Sequence, residues 1–159
     1  MSKKVWIYQW DSAVDSSTAT KILNEVKQFL SQWQSHKEAL SGWAKLQEGQ
    51  FLLVGTTEDS LHASGCSIDT LQKGMHSILF NSGITPLDAG IIFYKNNGQI
   101  CKANFLEIEN LIKTCELSPE TIIFDQTLGF TENPDFFEVK LKESWLSRYL
   151  PLASEPQIS

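Results

Sequence analysis

Arginine is nearly missing from this chain. Arg148 is the only one among thirteen basic residues, which stand against nineteen acidic ones for a formal charge of −6. Base and phosphate recognition rely on the planar guanidinium fork, and a nucleic-acid backbone demands a positive footprint. No basic cluster stands out along the chain, so nucleic acid is not an expected partner. Long apolar runs are missing too. The longest patches resemble Phe51-Leu52-Leu53-Val54, far below the roughly 18 residues of a membrane span, and no membrane partner is expected. Lys3-Lys4 imitates a signal n-region, but Gln9 and Asp11 interrupt the segment behind it, where a signal needs about 7–15 apolar residues. No lipidation or retention signal is visible at either end.

Cysteine is scarce. Cys66, Cys101 and Cys115 are odd in number and widely spaced, which excludes a disulfide framework and fits a reducing cytoplasm. Several chemical motifs are absent as well. There is no G-x-x-x-x-G-K-[ST], no G-x-G-x-x-G and no G-x-S-x-G, which excludes the P-loop, dinucleotide and hydrolase-elbow readings. A tyrosine-phosphatase-like loop needs an arginine six residues after its cysteine, where this chain has Gln72. His62-x3-Cys66 has no partner pair to complete a zinc site. No metal or cofactor is expected.

What is present is a sequence 42% apolar and 11% aromatic over 159 residues. That composition and length fit one α/β (α+β) domain over residues 1–150, with residues 151–159 as a frayed tail. Val5–Gln9 reads as a strand. Ala19, Ile22, Leu23, Val26, Phe29, Leu30 and Trp33 recur at helical spacing and predict a helix ending near His36. Trp43–Gln47 and Gln50–Thr56 read as strands joined at Glu48-Gly49. The second lacks alternation, as a strand covered on both faces would.

Ile68, Leu71, Met75, Ile78 and Leu79 mark a second helix, with Gly83 as its C′ residue. Asn96-Asn97-Gly98 is a hairpin signal between Ile91–Tyr94 and Gln99–Ala103. Asn104 and Glu107 have capping-box spacing, and Phe105, Ile108, Leu111, Ile112 and Cys115 form the third helix's buried stripe. Thr121–Phe124 is a last strand, and Ser144–Leu150 one or two helical turns. The order is β-α-β-β-α-β-β-α-β. Its first six elements match a ferredoxin-like split β-α-β, so the expectation is a mixed sheet with helices on one face and a C-terminal extension.

One turn combines features that chemistry needs. Ser64-Gly65-Cys66-Ser67-Ile68-Asp69 opens the second helix. Backbone N–H groups at a helix start are unpaired and favour an anion, Gly65 allows close backbone approach, and Cys66 is a potential nucleophile. A thiol near pKa 8.5 must fall about 1.5 units to ionise at neutral pH, which is about 2 kcal/mol. A helix start usually supplies about 0.3–1 kcal/mol, and Asp69 competes for the same dipole. Cys66 therefore needs His36, His62, His76 or a lysine beside it. The bland alternative makes Ser64 or Ser67 an N-cap and Cys66 a small packed residue.

The acidic pairs Glu58-Asp59 and Glu107-Glu109 read as a solvated loop and a solvated helix face. Trp6, Tyr8 and Trp10 share one strand face. Most of the five tryptophans read as core, with Trp10 and Trp145 partly exposed because each borders a loop.

Three stretches, Val5-Trp6-Ile7-Tyr8-Gln9, Ser64-Gly65-Cys66-Ser67-Ile68-Asp69 and Ser144-Trp145-Leu146-Ser147-Arg148-Tyr149, resemble a family of small Bacteroidetes proteins over most of the chain. The second run is the most specific. Members sometimes carry the label ABC-transporter ATPase, yet this sequence has neither a Walker A loop nor a Leu-Ser-Gly-Gly-Gln signature. The resemblance implies no reaction. It implies that the central turn is a site, with Arg148 as its candidate anion-binding partner.

Two functions remain to be separated. The first is a non-catalytic binding module that holds a small anionic ligand or a protein partner through Ser64, Gly65, Ser67 and Asp69, with Arg148. The second is a thiol-dependent enzyme with Cys66 as nucleophile and a histidine as base. Open sheet edges leave room for a homodimer.

Overall fold

The computed structural model describes residues 4–35, 38–56, 65–126 and 137–151. Its α+β class agrees with the sequence pattern: helices and antiparallel sheets alternate along the chain. Length and composition suggest one domain over residues 1–150. The chain itself gathers into two compact units, residues 1–88 with 128–134, and residues 89–127 with 135–159.

The first unit contains β1 (Val5–Gln9), α1 (Ser16–Ser31), the two-residue strands β2 (Gln34–Ser35) and β3 (Glu38–Ala39), β4 (Gly42–Gln47), β5 (Phe51–Thr56) and α2 (Gly65–Asn81). Asp15 closes the start of α1 by accepting the Thr18 N–H at 2.7 Å, which removes one of the unpaired donors at that end. The α1 stripe Ile22, Val26 and Leu30 is buried, as is the α2 stripe Ser67, Leu71, Met75 and Leu79. Gly83 ends α2 as expected. Its φ is 76°, its N–H donates to Phe80 O, and the Ile84 N–H donates to Leu79 O, the paired bonds of a Schellman turn.

The sheet order is β1-β5-β4, and both pairs are antiparallel. β1 and β4 therefore run the same way on either side of β5, which is a split β-α-β. Glu48 and Gly49, with φ of 57° and 70°, turn β4 back into β5. Trp6, Tyr8, Leu52, Val54, Ala44 and Leu46 lie on one face and pack with both helix stripes. β5 is buried along its length, as its unbroken apolar run predicts.

Here the expectation of one mixed sheet fails in two ways. Every pairing is antiparallel, because the hairpin return of β5 fills the slot between β1 and β4. The sixth predicted element also belongs elsewhere. On the outer edge of β1 stands a single antiparallel bridge, Gln9 to Leu87, held by the Leu87 N–H to Gln9 O bond at 2.7 Å. Ile91 onward instead begins the second sheet.

The second unit has β6 (Ile91–Asn96), β7 (Gln99–Asn104), a 3-10 turn (Phe105–Glu107), α3 (Ile108–Lys113), β8 (Ile122–Phe124) and β9 (Glu138–Lys140), then 3-10 turns at Leu141–Glu143 and Trp145–Tyr149. The order is β7-β6-β8-β9. Asn97 and Gly98 both have positive φ, as a two-residue hairpin turn requires. Asn104 caps the 3-10 turn by accepting the Leu106 N–H at 3.0 Å.

Ile92, Tyr94, Ala103, Ile108, Leu117, Ile123, Leu141 and Leu146 form this unit's core. The third helix is shorter than its apolar spacing predicts. Phe105 is 41% exposed, and Cys115 lies past the helix end with φ 65°, exposed rather than on a buried stripe. A non-glycine residue in that conformation stops a helix without burying its side chain. Trp145 is half-buried as expected. Trp10 is 3% exposed, contrary to expectation, because its indole N–H donates to Gly49 O at 3.1 Å and ties it to the hairpin.

Candidate functional site

β5 ends at Thr56, and α2 begins at Gly65 in the same unit. Strand parity sets the groups there. Leu52 and Val54 point to the helices, so Thr56, two residues on, points the same way. Its cross-strand neighbours are Gly42 in register on β4 and Lys4, whose carbonyl accepts the Thr56 N–H at 3.1 Å. A Cβ at Gly42 would come within 2.9 Å of Leu30 Cδ2, so a side chain here would have to displace the tip of Leu30 where α1 packs on β4.

Thr56 is 3% exposed, and its hydroxyl has no hydrogen-bond partner among the described residues. A buried polar atom left unmatched calls for a water or a ligand atom. Beside it the Lys4 ammonium lies 5.4 Å from the centroid of the Trp6 ring, and that ring meets Trp33 edge-on at 6.1 Å. Trp33 in turn donates its indole N–H to Ser67 O at 2.9 Å. This bond ties the first turn of α2 to Trp33, and through the Trp33–Trp6 ring contact to β1.

The residues predicted for the turn have different fates. Gly65 and Cys66 are exposed at the helix start. Ser67 is 3% exposed, so its side chain faces inward with the α2 stripe. Asp69 is exposed and pairs with Lys73 at 3.0 Å, one turn along the helix. Ser64, His36, His62 and the Glu58-Asp59 pair lie outside the described residues. Arg148 is exposed on the 3-10 turn Trp145–Tyr149 of the second unit. Lys4 is a cation that the described residues of the first unit bring to this end of the sheet.

His76 is no base for Cys66. It stands ten residues further along the same helix, about 15 Å of axial rise. There its ring meets Tyr8 edge-on at 5.6 Å. Burial pushes the Tyr8 hydroxyl up to about 12, and that oxygen also lacks a partner. It is neutral at any physiological pH. Cys101 is half-buried on β7 opposite Tyr94. Among the described residues no group of three His, Cys, Asp or Glu side chains could hold a metal, and no helix is long and apolar enough to cross a membrane.

Lys4 and Thr56 escape a motif-based reading, since neither belongs to the Ser-Gly-Cys-Ser-Ile-Asp run. Parity along Leu52, Val54 and Thr56 is the signal that finds the second: a hydroxyl where the pattern demands an apolar side chain. Compared with known proteins, the chain matches no family model, no curated protein and no solved structure.

Proposed function

We propose that the protein is a non-catalytic binding module that takes a small anionic ligand, or an anionic group of a protein partner, at the start of α2. The observation that carries this reading is the Thr56 hydroxyl, buried, unpartnered and on the sheet face that the helices cover. A helix start alone favours an anion weakly. A helix start with an unmatched buried donor and the Lys4 ammonium at the same sheet end is better suited to one. The Ser-Gly-Cys-Ser-Ile-Asp run that marks the family resemblance is then the binding element, acting through backbone N–H groups. Cytoplasm is the compartment that goes with this reading, and three unpaired thiols support it.

The thiol-enzyme alternative has less behind it. Cys66 is exposed and accessible, but a base must stand within about 3–4 Å of its sulfur, and His76 is far outside that reach. Titration with inorganic phosphate, followed by backbone-amide NMR, separates the two readings. Saturable shifts at Gly65–Ile68 and Thr56, unchanged in Cys66→Ser, are the expected result. A Cys66→Ser variant that keeps its fold but loses the phosphate response would overturn the non-catalytic reading.

A further inference from the structure

A concavity in the first unit lies between the last turns of α1 and the start of β4, as an open groove of about 620 Å³. Its apolar walls are Leu30, Leu40 and Trp43; Ser31 and Ser41 supply hydroxyls, and Lys27 a cation. The volume falls within the roughly 300–1,000 Å³ of small-molecule sites, which are apolar with a few placed polar groups. Lys27 is exposed and makes no ion pair among the described residues, and none of the described lining residues is acidic. The described lining therefore carries the positive charge of Lys27 in a chain of net charge −6. In addition, β4 pairs with β5 alone among the described residues, which leaves backbone donors and acceptors on its outer edge beside the groove.

We infer that this groove binds an organic monocarboxylate with an aromatic or branched apolar body. The apolar part lies against Leu30, Leu40 and Trp43, and the carboxylate meets the Lys27 ammonium at the rim, with the Ser41 hydroxyl as a further donor. A dianion such as phosphate is a poor fit, because it offers nothing to the apolar walls and finds only one cation. The groove shares Leu30 and Gly42 with the surroundings of Thr56, but its partner for a carboxylate is Lys27 rather than the start of α2.

Phenylpropionate is a suitable probe, with phenylpropionamide as its uncharged counterpart, each titrated into the full chain by amide NMR. The expected result is saturable shifts at Lys27, Leu30, Ser31 and residues 40–44. The affinity should fall about fivefold for the amide, and by a similar factor for the acid with Lys27→Gln. Lys27 is exposed, so that variant keeps its fold, and an unchanged spectrum elsewhere checks this. Equal binding of acid and amide overturns the inference. So does a response confined to Gly65–Ile68, or no response at millimolar ligand, and neither outcome bears on phosphate binding at the start of α2.

Discussion

The two units solve the same problem, covering a small antiparallel sheet with helical elements, with different means. The first lays two helices of 16 and 17 residues across its sheet and fills the layer with Trp6, Tyr8, Trp10 and Trp33. The second has a six-residue α3 and three 3-10 turns with a cluster that is aliphatic apart from Tyr94, and holds its surface with ion pairs such as Lys140 and Lys142 to Glu120, at 2.9 and 2.6 Å. Long helices create ends, and an end brings unpaired backbone groups to a fixed place. Of the two long helices, α1 has its start closed by Asp15, and the first described residues of α2, Gly65 and Cys66, are exposed. Both helices belong to the first unit, and the candidate chemistry goes with them.

The largest expected effect concerns how rigid the two cores are. Leu71 and Leu146 are both fully buried, and each Leu→Ala change should cost about 2–5 kcal/mol. Leu71 is held in the middle of a long helix that cannot collapse into the gap, so its loss belongs near the top of that range. Leu146, on a five-residue 3-10 turn, belongs near the bottom. Urea denaturation reads both, and equal losses would erase this contrast between the units.

Tyr8 and Tyr94 extend the contrast to buried hydroxyls. Tyr94 donates to Glu116 at 3.3 Å, while the Tyr8 hydroxyl is buried without a partner. Tyr8→Phe should therefore stabilise the protein by about 1 kcal/mol, and Tyr94→Phe should not. The fold favours the protonated form of Tyr8. Its contribution is complete below the ordinary tyrosine value of 10 and is lost as pH rises through about 12. Tyr8→Phe should flatten the alkaline limb of a thermal-melt series.

Asp15 acts at the opposite end of the pH scale. Hydrogen bonds from the Thr18 backbone and side chain hold its carboxyl below the usual carboxylate range. Its help to α1 is present above the unfolded value and lost as pH falls through the folded one. Asp15→Ala should lower the melting temperature near neutrality and remove that part of the acid limb. Cys66→Ser should have the smallest effect, leaving stability and phosphate binding where they were.

Most elements could be read from the sequence because their signals are local. Asn97-Gly98, Glu48-Gly49 and Gly83 each specify a positive φ that few other residues tolerate. The stripes of α1 and α2 follow from period alone. Long-range pairing was not legible in the same way. Whether Ile91–Tyr94 joins β1 or starts another sheet depends on partners such as β8 and β9, and Glu138–Lys140 carries no apolar alternation to announce itself. The site divides similarly. Gly65 and Cys66 were visible as a turn before a helix, but the inward facing of Ser67 and the unmatched state of Thr56 depend on packing against a distant strand.

If the Thr56 hydroxyl is unmatched because it waits for an anion at the start of α2, calorimetric titration of inorganic phosphate into Thr56→Val and Thr56→Ser must show it. Thr56→Val keeps the shape and loses the donor. It should fold at least as stably as the parent yet bind phosphate about tenfold more weakly, and Thr56→Ser should restore the affinity. Phosphate binding of parental strength in a folded Thr56→Val protein would refute the role given to this hydroxyl.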